Sequence, residues 1–79
     1  MTVALETVRS TIRSIVAEQL CISPDEASDH DSLSERYQMD SLDQAEIIIA
    51  IECDLAIELD LDLSFDTVSQ LIEAVEAVA

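Results

Sequence analysis

Apolar residues recur through the first part of the chain at helical spacing. Leu5, Val8, Ile12, Ile15, Val16 and Leu20 share one side of a wheel advancing about 100° per residue, while Glu6, Arg9, Arg13 and Glu18 take the other sides. This predicts an amphipathic first helix. From Leu42 to Leu55 the apolar positions are Leu42, Ala45, Ile47, Ile48, Ile49, Ile51 and Leu55, which together cover most of the circumference. A helix apolar on so many sides is expected at the centre of a bundle. Its narrow outward stripe holds Asp43, Glu46, Ala50 and Cys53, with Leu42 and Ile49 at the edge. Val68, Leu71, Ile72, Val75 and Val78 predict a last amphipathic helix, capped by Asp66 or Thr67.

The segments between these helices carry different signals. Ser23-Pro24-Asp25-Glu26 reads as a helix start with room for only a turn or so after it. From Ser28 to Asp40 short polar side chains dominate and a long structured loop is expected, although Ser32 and Glu35 have capping-box spacing and Leu33 and Tyr37 can anchor the loop inward. Ile57 to Phe65 alternates strictly between apolar and polar residues, as a half-buried strand does. No second alternating run exists to pair with it, so an extended or irregular connector that turns its leucines onto the helices is expected. The chain should therefore be an all-α four-helix bundle, a single domain over residues 1–79, with its third helix short or replaced by this connector.

Charge narrows what such a bundle can do. Eighteen acidic residues stand against three arginines and no lysine, a formal net charge of −15 on 79 residues. Nucleic acid and anionic membrane surfaces repel such a chain, so its partners should be proteins with basic patches. The hydrophobic fraction of 49% is too high for an acidic disordered tail. Glycine is absent, which excludes glycine-rich phosphate loops. Cys21 and Cys53 make no disulfide framework and are expected reduced and packed. Without a basic leader or a long apolar stretch, neither export nor membrane insertion is expected, and the chain should be a cytoplasmic monomer.

Catalytic chemistry has few carriers here. His30 is the only histidine, it sits between Asp29 and Asp31, and a solvated side chain accounts for it better than a metal ligand does. Ser41 is more informative, because it stands where the long loop meets the apolar helix. Free backbone N–H groups and the macrodipole at such a helix start favour a phosphate. Ser41 and Gln44 also match a capping box, which would explain the serine without any further role.

Asp40-Ser41-Leu42, followed by Asp43, Glu46 and a run of aliphatics, resembles the attachment motif of acyl carrier proteins. The likeness extends over nearly the whole chain, through the long loop before the serine, the acidic helix after it and the Thr67-Val68 start of the final helix. It implies a small bundle of the acyl-carrier type, without catalysis of its own. A phosphopantetheinyl transferase would move 4′-phosphopantetheine from coenzyme A to the Ser41 oxygen, and the thiol of that arm would hold acyl groups as thioesters. Matching positions imply that Asp40, Asp43, Glu46 and Glu52 meet basic patches on an acyltransferase, a ketosynthase or an acyl-activating enzyme, with Leu42 and Ile49 as apolar contacts.

The sequence departs from the family in places. Tyr37-Gln38-Met39 stands where the family has Leu-Gly-x, Asp60 where it often has proline, and Cys53 where it often has an acid. Two other readings are a peptidyl or aminoacyl carrier of nonribosomal peptide systems, and an acidic interaction module that is never modified. Met39-Asp40-Ser41 and the high negative charge favour acyl cargo over the first, and the second gives Ser41 no special role.

Overall fold

The computed structural model describes residues 5–26, 28–60 and 63–78, with the side chains of Leu5 and Glu6 excepted. The expected core positions Leu5 and Leu61 lie outside the described side chains, as does Asp62. Among the described residues there are four helices, α1 (Leu5–Leu20), α2 (Leu33–Tyr37), α3 (Ser41–Leu55) and α4 (Val68–Val78), and no strand.

The periodic aliphatics meet in one core. Ile12 and Val16 of α1, Ile47, Ile48 and Ile51 of α3, and Leu71 and Val75 of α4 are almost completely buried, together with Leu33 of α2. Each such side chain contributes roughly 1.5 to 3 kcal/mol by leaving water. α1, rather than the expected α3, is the helix packed extensively on two others, α3 and α4. The reason lies in which aliphatics of α3 go inward. Leu42 and Ile49 remain 64% and 57% exposed, so one side of that apolar circumference faces out.

The alternating segment is non-helical where it is described. Ile57, Leu59 and Leu63 pack against the core and Phe65 is buried, while Glu58, Asp60 and Ser64 are exposed. Alternation thus lines a bundle here instead of building a sheet. The run after Ser23 is a single turn, closed by the Glu26 N–H donating to the Ser23 carbonyl at 2.9 Å. The expected loop before Ser41 contains α2, one turn capped by the Ser32 hydroxyl, which accepts from the Glu35 N–H. Tyr37 packs against the core and its hydroxyl donates to the Glu26 carbonyl.

Three helices end alike. Cys21, Gln38 and Ala56 follow α1, α2 and α3 with φ of 58°, 58° and 54°, in the left-handed region that favours glycine. In each case the next N–H reaches back into the helix: Ile22 donates to Ala17, Met39 to Leu33 and Ile57 to Glu52. Each of those next residues is apolar and at least half-buried, as the motif requires. In a chain without glycine, a Cβ occupies all three stops. Both cysteines are exposed, contrary to the expected packing. Cys21 is carried outward by its left-handed stop and Cys53 by the outward stripe of α3.

Asp66 ties α2 to the start of α4. Its carboxylate accepts from the Ser32 hydroxyl and from the Ser34 N–H, its own carbonyl accepts from the Leu33 N–H, and Thr67 and Gln70 cap α4. The Ser32 hydroxyl first, then the Ser34 N–H, holds this carboxyl below its ordinary value. A lowered native pKa gives stability that is present above the unfolded value and is lost as pH falls through the native one. The melting-temperature gap between wild type and Asp66→Ala should therefore be open at neutral pH and narrow below about pH 4. A gap that does not change with pH would remove the carboxylate from this role.

Candidate functional site

The site is the junction of α2, the two-residue approach Met39-Asp40 and the first turn of α3. Leu33 and Met39 are buried on either side of the left-handed Gln38, which fixes where the chain leaves α2. Asp40 then takes extended geometry and caps α3. Its Oδ1 accepts from the Asp43 N–H at 2.9 Å, and Asp43 Oδ2 accepts from the Asp40 N–H at 3.3 Å. The reciprocal pair closes the capping box one residue earlier than the expected Ser41 and Gln44 pair. Asp40 supplies a carboxylate acceptor, and an anion at a helix N-terminus also suits the macrodipole.

This shift frees Ser41. The residue is the first of α3, it is exposed, and its hydroxyl has no hydrogen-bond partner among the described residues. The N–H groups of Ser41 and Leu42 are likewise unpartnered there, as expected for the opening turn of a helix. Ser32, the serine that caps α2, is by contrast engaged with Glu35 and Asp66. Position and freedom together single out Ser41 as a hydroxyl that an outside enzyme can reach at the start of a long helix.

The other residues singled out from the sequence lie around it. Leu42 and Ile49 are exposed, Glu46 is exposed, and Asp43 is half-buried. Glu52 stands near the far end of α3, where its Oε2 accepts from the Leu59 N–H at 3.0 Å and fixes the start of the connector. Glu52 is thus a structural anchor as well as a surface acid. Gln19, near the end of α1, had no sequence signal of function. Its amide nitrogen donates to Asp43 Oδ1 at 3.1 Å and to Glu46 Oε2, so α1 also contributes to this face. His30 lies elsewhere, in the loop held by the Arg13–Asp29 and Arg36–Asp31 ion pairs.

The described residues form a small all-α domain with an exposed serine at the head of an acidic helix, and no helix among them is long and apolar enough to cross a membrane. The phosphopantetheine attachment site family matches residues 10–75, and the chain belongs to that family. The group such domains attach covalently is 4′-phosphopantetheine. The residues present fit it, since Ser41 offers an uncommitted oxygen and two free N–H groups beside it. Carrier domains of this kind are generally not catalytic and work with transferases and biosynthetic enzymes.

Proposed function

We propose that the chain is an acyl carrier protein, a single carrier domain over residues 1–79 that delivers acyl intermediates to fatty-acid or polyketide-type biosynthetic enzymes from an arm attached to Ser41. The observation that carries this reading is the free, exposed Ser41 hydroxyl at the head of α3, with Asp40 performing the capping a serine would otherwise do. When bound, 4′-phosphopantetheine supplies a flexible arm whose terminal thiol takes acyl groups as thioesters.

The chain's own residues hold and present. The helix start, through its dipole and the free N–H groups of Ser41 and Leu42, favours phosphate oxygens at that end. Asp40, Asp43, Glu46 and Glu52 give the face its negative potential, which steers basic partners to it. Leu42 and Ile49 give it apolar area that a partner can cover. Tethering raises the effective concentration of cargo at each partner's active site, so the chain needs no catalytic group. The modifying partner is a phosphopantetheinyl transferase, and the later ones are acyltransferases, ketosynthases or acyl-activating enzymes with basic docking patches. The chain acts in the cytoplasm as a monomer, the monomer being supported by a net charge of −15 that opposes self-association.

Acyl cargo is favoured over aminoacyl cargo by the acidity and by Met39-Asp40-Ser41. The loaded chain, offered an acyltransferase with acyl coenzyme A or an amino-acid-activating enzyme with ATP, is expected to gain mass only in the first reaction. Hydroxylamine should remove that mass, as it does a thioester. Aminoacyl loading alone would point to peptide synthesis instead.

A further inference from the structure

We infer that Gln19 is a positioning residue for partner docking, and that the docking face therefore spans α1 as well as α3; this rests on the reading of α3 as the face that enzymes meet. Asp43 and Glu46 are like charges three residues apart on one helix face, an arrangement that repels. The Gln19 amide nitrogen donates to an oxygen of each, bridging residues 24 and 27 positions away. One neutral side chain thus fixes the rotamers of both acids without removing either charge.

The remaining hydrogen-bonding capacity points to what binds there. Asp43 has both oxygens engaged, with Gln19 and with the Asp40 N–H, whereas Glu46 keeps Oε1 free and Gln19 keeps its Oε1 free among the described residues. With the amide donors turned to the acids, Gln19 and Glu46 offer only acceptors outward. Arginine and lysine offer only donors. A partner's cation thus meets two pre-set acceptors instead of a mobile glutamate, and the entropy of ordering Glu46 is already spent within the free carrier. A shallow groove lined by Ile15, Glu18, Gln19, Ala50 and Asp54 continues this face along the α1–α3 seam.

Gln19→Met keeps the size and loses the donors. With a broad-specificity phosphopantetheinyl transferase and coenzyme A, the KM for this variant should rise about threefold to tenfold while kcat stays within about twofold. Gln19→Asn, which keeps the amide on a shorter stem, should recover part of that loss. Glu46→Ala, run in parallel, should raise KM as well. A KM unchanged in Gln19→Met beside a raised KM in Glu46→Ala would overturn the role of Gln19 and leave the α3 face standing. If neither moved, the docking face itself would be wrong. A fall in kcat with no change in KM, or a melting temperature lowered in step with the kinetic loss, would mark Gln19 as merely structural.

Discussion

Ser41→Ala, incubated with coenzyme A, magnesium and a broad-specificity phosphopantetheinyl transferase, is expected to keep its unmodified mass, while the wild-type chain gains a single addition of about 340 Da. The loss should be total rather than partial, because alanine leaves no oxygen at the only serine among the described residues that opens a long helix. The same variant also tests the capping assignment. If Ser41 capped α3, alanine would remove a cap and cost about 1 kcal/mol. With Asp40 as the cap and Ser41 an exposed first-turn residue, stability should change by less than about 0.5 kcal/mol. Intact mass and a melting curve on one preparation therefore separate a chemical role for Ser41 from a structural one.

The second large effect is on stability, and it comes from the glycine-free helix stops. A non-glycine residue in the left-handed region costs roughly 1 to 2 kcal/mol; glycine in its place removes that Cβ clash but loses part of the gain because its greater freedom when unfolded opposes folding. A net gain of about 0.5 to 1 kcal/mol per site is expected. Cys21, Gln38 and Ala56 are all exposed, so no buried contact is lost on replacement. They lie on three different helix ends and share no hydrogen-bond partner, so their effects are expected to add. Cys21→Gly, Gln38→Gly and Ala56→Gly combined should raise the melting temperature by about 10 °C, at several degrees per kcal/mol for a domain of this size. A melting temperature that stays level or falls would mean that the positive φ values are not held in solution.

Much of the molecule was readable from its pattern. α1 and α4 follow from aliphatics at three- and four-residue intervals, and the alternating segment from Ile57 to Phe65 was expected as a connector because it has no partner strand. The place of Ser41 in the fold was readable too, since the expected start of the apolar helix coincides with the head of α3. Other features were not, each for a physical reason. α2 buries only Leu33 completely, and a single turn is too short to display a period. Asp40 with Asp43 and Ser41 with Gln44 are overlapping caps of equal spacing, and only the reciprocal bonds of the first pair decide between them. Helix stops are ordinarily signalled by glycine, so Gln38 in the place of the family's glycine hid a stop that the backbone retains. The central position expected for α3 failed because apolar character does not say which faces are covered. Gln19 gave no local sign at all, its two partners being on another helix.

The central claim is that the phosphopantetheine arm of this carrier is borne by Ser41. Fragmentation mass spectrometry of the loaded wild-type chain tests it most directly, because it reads the modified residue itself. The expected result is an addition of about 340 Da on Ser41 and on no other residue. The same mass on a different serine, or a folded chain that takes up none, would contradict the account.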